Sequence, residues 1–444
     1  MRLVPVVAAG LLFQWVAAAA SPAGPGHWIG TWGYVALPPP PGQPVPASAS
    51  APAAAPTPFG TFTPPAPPAP YRPGGPPSAI DNPGNVPVDT TFADLNNITV
   101  RQVVRLSQGG ERLRLRFSNE NSAEVLALGA VHVGEAAADG AVVAGSDRAV
   151  TFGGQSSVVL PASAPTLSDA IDLPTHALEK LYISIHLPGP VSPRAPRTLY
   201  QYVAGRSGDF TASASLPGAH LMRIPCYVIL VEVQSAQAAG VIVALGDSIT
   251  QGSASTANAF RSWPDRLAER LAGRHWAVVN AGIGGNRLLR YGTGPSALAR
   301  LDRDVLSVPG LRAIIVLEGI NDIGVGLGAA GAAEPVTSEA LETADRQIIS
   351  RAHEHGVRVI GATLTPYGGA RYFSPAGEIV REALNHWIRT GNAFDAVIDF
   401  APVLADRNDP LTLDRRYNDG DHLHPNDAGY RAMGDAIDLS LIQK

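Results

Sequence analysis

Cysteine is almost missing from this chain: there is one, Cys226, in 444 residues. No internal disulfide can form, so cohesion has to come from packed cores. Cys226 lies in the apolar run Pro225-Cys-Tyr-Val-Ile-Leu-Val231 and reads as a core residue rather than a reactive thiol. Charge is sparse as well. Charged residues make up 16% of the chain, the formal net charge is −5, and there is no long basic run. That excludes the electrostatic footprint of a nucleic-acid binder. Beyond the N-terminal leader no stretch is apolar for long enough to span a bilayer. What the chain does have is a hydrophobic fraction of 45%, enough for large cores, and 40 prolines that are unevenly spread. The length fits two domains plus extras.

The first residues, Met1-Arg2 followed by an apolar run from Leu3 to Ala20 ending in small residues, have the pattern of a secretory signal. A membrane anchor is the competing reading. The alanine-rich end and the proline-rich sequence after it favour cleavage near Ala20, giving an exported protein that is secreted or periplasmic. Gly26–Val35 reads as a first strand. Residues 37–80 are a Pro/Ala-rich low-complexity segment that buries too little apolar surface to fold alone.

From about Asn97 to residue 236 the hydrophobic period is two. Thr99–Leu106 and Glu111–Phe117 alternate charge and apolar side chains, and Ser107-Gln-Gly-Gly110 between them reads as a hairpin loop. Further short strands are expected at Val125–Val133, Ala149–Phe152, Ser157–Leu160, Leu181–Leu187, Leu199–Val203 and Tyr227–Val233. Short strands separated by turns predict an antiparallel β-sandwich over about 81–236. Tyr200 and Tyr202 are aromatics that suit sugar stacking or ordinary packing, and no binding residue is assigned there.

From Val241 to Lys444 strand-length apolar runs alternate with helical patterns. Strands are expected at Val241–Leu245, Ala277–Ala281, Leu311–Leu317, Val357–Thr363 and Ala396–Phe400. Helices are expected to start at Ser262, Pro295, Thr337 or Ser338, Ser374-Pro375 and Pro425. This is an α/β domain, a parallel sheet covered by helices on both faces. Sites in such sheets form beyond the carboxyl ends of the strands. The segments found there are Gly246-Asp247-Ser248, Gly282-Ile-Gly-Gly285-Asn286-Arg287, Glu318-Gly319-Ile-Asn321-Asp322, Thr365-Pro366-Tyr367 and Asn418-Asp-Gly-Asp421-His-Leu-His424-Pro425.

These residues suit nucleophilic catalysis. Ser248 on a tight turn after a buried strand needs a base to take its proton. His424 fits that role, and Asp421, three residues earlier, can accept the other ring N–H. The N–H of Ser248, the N–H of Gly285 and the amide of Asn321 are candidate donors to an oxyanion. Asp247, Asn286 and Tyr367 are candidate substrate-binding residues, and Trp263, Tyr367 and Tyr372 either wall the pocket or pack in the core. Asp419-x-x-His422 repeats the Asp421-x-x-His424 spacing; the second pair is preferred because Pro425 follows at once. The cluster Asp419, Asp421, His422, His424 and Asp427 also allows a metal-dependent hydrolase, although no second His/Asp-rich cluster completes such a centre.

Taken in order, Gly246-Asp-Ser-Ile-Thr250, Asn280-Ala-Gly-Ile-Gly-Gly285-Asn, Gly319-Ile-Asn-Asp322 and Asp421-His-Leu-His424-Pro resemble the four blocks of the GDSL or SGNH hydrolases over about Val241 to Lys444. The first block has Ser-Ile-Thr where the name-giving motif has Ser-Leu. The resemblance implies a flavodoxin-like three-layer α/β/α domain and metal-free ester hydrolysis without a cofactor. It implies Ser248 as nucleophile, Asp421 and His424 as its partners, and Gly285 and Asn321 in the oxyanion hole. The N-terminal half is similar to the β-rich region that precedes this domain in some exported bacterial members. The expected activity is that of an exported serine esterase acting on short acyl or O-acetyl groups, on a small molecule or a polysaccharide. No apolar lid speaks for long-chain lipase action. The alternatives are the metal-dependent hydrolase and a catalytically inactive carbohydrate-binding protein. No nucleic-acid partner and no membrane span after signal cleavage are expected. Oligomeric state is not legible.

Overall fold

Val241–Leu245 is an uninterrupted apolar run, β-branched at Val241, Ile242 and Val243 and flanked by Gly240 and Gly246, and it forms the buried strand Gly240–Gly246. Every residue of that strand is buried, as a strand covered on both faces requires. The computed structural model describes residues 26–35, 88–89, 95–120, 122, 124–191, 203–222, 227–328 and 334–442. The signal-like leader, the Pro/Ala-rich segment, Cys226, Tyr200 and Tyr202 lie outside the described residues.

Five parallel strands stand in the order Trp276–Gly282, Gly240–Gly246, Leu311–Leu317, Arg358–Ala362, Ala396–Ile398. The chain therefore begins one strand in from an edge, steps outward, and then reverses past its own start. This is the flavodoxin-like order, and its switch point lies between the first and third strands of the sheet. The loops that part there carry Ser248 and Asn321. Helices Trp263–Leu271 and Asp427–Ala436 pack on each other, while Ser338–Glu354, Pro375–Thr390 and Ile320–Leu327 form a separate packed group. The result is a three-layer α/β/α domain.

Local chemistry fixes the helix starts. Ser262 caps Trp263–Leu271 in a full capping box with Asp265, and Thr337 and Ser374 cap the two long helices. The last helix is capped by Asn426, whose side chain accepts the Gly429 N–H, so Pro425 precedes the helix rather than opening it. Ser296 rather than Pro295 caps Ala297–Leu301. The helices Ser248–Gln251 and Ala401–Leu404 are single turns too short to show an apolar period, and Ile320–Leu327 shows one only at Ile320, Ile323 and Leu327.

The N-terminal half is built of antiparallel sheets. One has four strands, ordered His27–Gly33, Val228–Ser235, Arg112–Ser118, Pro165–Leu167. Another has seven and is centred on Ile98–Arg105, Lys180–Leu187 and Val131–Glu135; among the described residues its one parallel pairing joins Leu221–Met222 to Val88–Asp89. One expectation fails here. Ile98–Arg105 and Arg112–Ser118 do not pair; they belong to different sheets. The Ser107–Gly110 link is a crossing between sheets rather than a hairpin turn, because both flanking strands find longer partners elsewhere. Val125–Val133 is likewise split into Leu126–Leu128 and Val131–Glu135.

That crossing also joins the two halves of the protein. Trp276–Gly282 is an edge strand of the parallel sheet, and an edge leaves backbone groups without a strand partner. The Ser107 hydroxyl fills the gap: it accepts the Val278 N–H at 2.9 Å and stands 2.9 Å from the Val278 carbonyl and 2.6 Å from the Thr31 carbonyl, two acceptors for its proton. Gly30 N–H donates to the Pro309 carbonyl at 2.9 Å. Arg105 reaches Glu269 at 2.9 Å and Asp265 at 3.3 Å on the helix above. Among the described residues no helix is long and apolar enough to cross a membrane.

Replacing Ser107 with Ala should lower the unfolding free energy by about 1–3 kcal/mol, the penalty for stranding buried backbone groups. Urea unfolding followed by fluorescence would read this as a lower midpoint for the variant.

Candidate active site

Ser248 is the first residue of a single helical turn that begins where Gly240–Gly246 ends. Asp247 makes the turn tight: its carboxylate accepts the Ile249 N–H at 2.8 Å, so its side chain faces the backbone. Behind the turn, the Ser253 carbonyl accepts the Tyr430 hydroxyl at 2.6 Å. Asp427 accepts from Thr256 N–H at 2.8 Å, Thr256 Oγ1 at 2.7 Å and Arg261 at 2.5 Å. The final helix thus clamps the segment that leaves the serine turn.

The same C-terminal stretch carries the histidine. His424 Nε2 lies 2.8 Å from Ser248 Oγ, and His424 Nδ1 lies 2.5 Å from Asp421 Oδ2. The other oxygen of Asp421 accepts the N–H groups of Leu423 at 2.9 Å and His424 at 2.8 Å, which folds the loop so that both side chains point the same way. Asn418 holds the base of this loop, accepting the N–H of Gly420 at 2.8 Å and of His422 at 3.1 Å. Burial alone would raise the Asp421 carboxyl. The hydrogen bond and charge of His424, with the two backbone N–H groups, outweigh it and bring the carboxyl down to about 2.

The loops after the second and third strands are tied to each other. Asn321 Nδ2 donates to the Asn286 carbonyl at 2.9 Å, and Asp322 accepts the N–H groups of Leu288 at 2.6 Å and Leu289 at 3.1 Å. Gly285 has φ +78°, a backbone state that glycine adopts without steric cost. Beneath these loops lies Arg300, with 1% of its surface exposed. It donates to the Gly246 carbonyl at 3.0 Å, the Ala281 carbonyl at 2.7 Å and Asn286 Oδ1 at 2.8 Å. Carboxylates crowd around it. Burial pushes Asp247 up to about 6 against the pull of the Ile249 N–H, and pushes Glu318 well above the usual range, helped by the nearby Asp247.

The structure brings Ser248, Asp421 and His424 into one hydrogen-bonded chain, and it links Asn321 to the Gly285-Asn286 loop through the Asn286 carbonyl. The three substrate-binding candidates are a correction. Asp247, Asn286 and Tyr367 are 1%, 0% and 0% exposed. Asp247 caps the serine turn, and Asn286 is engaged by Arg300 and by the Pro295 carbonyl at 2.8 Å. Tyr367 packs on Tyr372 and Phe373. They frame the site from below and do not line it. Trp263 is likewise core, stacked near Phe400. Two members of the metal alternative's cluster turn elsewhere: Asp427 points to Thr256 and Arg261, and the His422 ring lies against Gly369 and Asn418. Among the described residues no group of three or more His, Cys, Asp or Glu side chains is arranged to hold an ion.

Three framing residues carry a signal in the sequence. Asp322 follows Asn321 directly. Arg300 and Asp304 fall on the apolar stripe of Ala297, Leu301 and Val305, where a charged pair four residues apart marks a buried ion pair; they lie 3.6 Å apart.

Residues 244–432 match the profile of the GDSL-like lipase/acylhydrolase family. Among solved structures, a GDSL-like lipase from Bacteroides thetaiotaomicron is similar at 19% identity, over 46% of this chain and 88% of that one, with a TM-score of 0.35. A member of the lipolytic protein G-D-S-L family from Veillonella parvula is similar at 21% identity, over 44% and 94%, with a TM-score of 0.33. An acetyl xylan esterase from Geobacillus stearothermophilus is similar at 18% identity, over 46% and 95%, with a TM-score of 0.36. No curated protein matches the chain.

The depressed Asp421 carboxyl has a pH consequence. Its folded-state value of about 2 lies below the roughly 3.9 of an unfolded aspartate, so its contribution to stability is present above about pH 4 and is lost as pH falls towards 2. Urea midpoints measured from pH 5 to pH 2 should fall more steeply for the wild type than for Asp421→Asn.

Proposed function

With residues 244–432 forming a GDSL-like lipase/acylhydrolase domain, we propose that the protein is a serine esterase that hydrolyses carboxylic esters through an acyl-enzyme. The observation that carries this reading is the continuous chain Ser248 Oγ–His424 Nε2 at 2.8 Å and His424 Nδ1–Asp421 Oδ2 at 2.5 Å. In the proposed reaction, neutral His424 accepts the Ser248 proton as Oγ attacks the ester carbonyl carbon. Asp421, ionised, keeps Nδ1–H in place and stabilises the imidazolium that forms. The tetrahedral oxyanion is held by the N–H of Ser248, the N–H of Gly285 and the Asn321 amide. Imidazolium then gives its proton to the leaving alkoxide, and the C–O bond breaks to leave the acyl group on Ser248. Water, deprotonated by His424, attacks the acyl carbon, and the imidazolium then returns that proton to Ser248 Oγ as the acyl C–O bond breaks, which releases the acid and restores the serine.

The substrate class we propose is a short acyl or O-acetyl ester, on a small molecule or a carbohydrate. In support, the loops around Ser248 are glycine-rich and polar, and the aromatic rings of Trp263 and Tyr367 are directed into the core. The leader sequence supports export to the periplasm or beyond.

Ser248→Ala should reduce the hydrolysis of p-nitrophenyl acetate by a factor on the order of 10³ or more, and should abolish labelling by a fluorophosphonate probe. Wild-type turnover surviving in that variant would refute the reading. Across a series of nitrophenyl esters, kcat/KM should be highest for the shortest acyl chains, with acetate released from acetylated xylan or pectin if the natural ester is on a polysaccharide.

A further inference from the structure

Tyr372 lies outside the catalytic chain of Ser248, His424 and Asp421, yet its hydroxyl is 3.3 Å from Asn321 Oδ1. Asn321 is 7% exposed and has one other recorded side-chain partner, the Asn286 carbonyl at 2.9 Å from Nδ2. These two contacts act on opposite ends of one amide. A flipped amide would set its oxygen against the Asn286 carbonyl, two acceptors face to face, and would also lose the tyrosine donor. The orientation that satisfies both leaves the second N–H of Nδ2 available to a ligand.

The helix is shaped to hold this ring. Asn321, Gly324 and Gly328 are three and four residues apart and so share one face. A Cβ on Gly324 would come within 2.3 Å of Tyr372 Cδ2, and a Cβ on Gly328 would come within 2.2 Å of the Gly324 carbonyl oxygen and 3.0 Å of the Tyr372 carbonyl oxygen. Gly324 therefore makes the room for the ring, and Gly328 lets the two backbones come close. On its far side the ring meets Tyr367 at a centroid distance of 6.0 Å, and Ser374 Oγ ties the following turn to the Leu327 carbonyl at 2.5 Å. The seat of Tyr372 is thus defined by the same helix that carries Asn321.

We propose that Tyr372 is a positioning residue for the oxyanion hole: its hydroxyl holds the Asn321 amide with Nδ2 turned towards the reacting carbonyl oxygen. This rests on the esterase reading above and on Asn321 as an oxyanion donor. The contact is longer than the 2.7–2.8 Å or so usual for O–H···O, as catalytic hydrogen bonds often are before substrate binds. As negative charge builds on the oxyanion, Nδ2 is drawn towards it and Oδ1 becomes a better acceptor, so the tyrosine bond strengthens along the reaction.

The test is a double-mutant cycle on p-nitrophenyl acetate with Tyr372→Phe, Asn321→Ala and the pair, with Ser248→Ala as reference and melting temperatures for all. Tyr372→Phe should lower kcat about fivefold to tenfold with KM within about twofold, the scale of one hydrogen bond. Asn321→Ala should lower kcat by a factor on the order of 10² or more. In the Asn321→Ala background, Tyr372→Phe should change kcat by less than about twofold, because the group it acts through is gone. Equal losses in both backgrounds, no loss in either, or a loss in KM alone would overturn the proposal. A large drop in melting temperature with equal kinetic losses in both backgrounds would show the tyrosine to be packing only. If Asn321→Ala leaves kcat unchanged while Ser248→Ala abolishes it, the oxyanion role of Asn321 fails and the proposal with it. If Ser248→Ala remains active, the esterase reading itself fails.

Discussion

Arg300 reaches three acceptors at the base of the site: the carbonyls that end the first two strands of the parallel sheet and the side chain of Asn286. The loops that bring Ser248 and Gly285 to one rim leave from those two strand ends. A planar guanidinium with several fixed N–H directions can hold diverging strand ends at a set spacing, which a lysine cannot. Burying that cation is costly without counter-charge, and Asp247, Glu318 and Asp304 surround it. The acids share the burden unequally. Asp247 is partly sustained by the Ile249 N–H, while burial holds the Glu318 carboxyl well above the usual range.

The site is therefore layered. At the surface, Asp421 and His424 sit on a loop with side-chain exposures of 39% and 13%. Below them, Asp322 and Asn321 stitch one loop to the next. Lower still, Arg300 fixes the strand ends. Each layer is more buried than the one above, and precision at the top depends on rotamers locked underneath.

The parallel sheet and the residues at its carboxyl edge were legible from sequence because both carry strong local signals. A β-branched run flanked by glycine has few other uses, and Asp-x-x-His before Pro stands out in a loop. The framing residues were less visible. Asp247, Asn286 and Tyr367 were read as facing substrate because they neighbour the motif residues in sequence; adjacent residues on a turn point in different directions, and theirs point inward. The Ser107–Gly110 link was misread for a similar reason. Two alternating strands joined by a glycine-rich stretch have the same local pattern whether they pair or cross to another sheet. Only long-range pairing with Lys180–Leu187 and Val228–Ser235 decides it. Arg300 needed the helical stripe to be read together with its ion partner.

Ser107 has one more implication. By occupying the donor and acceptor of Val278 it blocks the flank of the parallel sheet that would otherwise be open to a strand from another molecule. The β-rich half thus doubles as a guard against self-association. Cutting the chain near residue 238 would leave that flank of the parallel sheet bare, an edge open to pairing with other molecules.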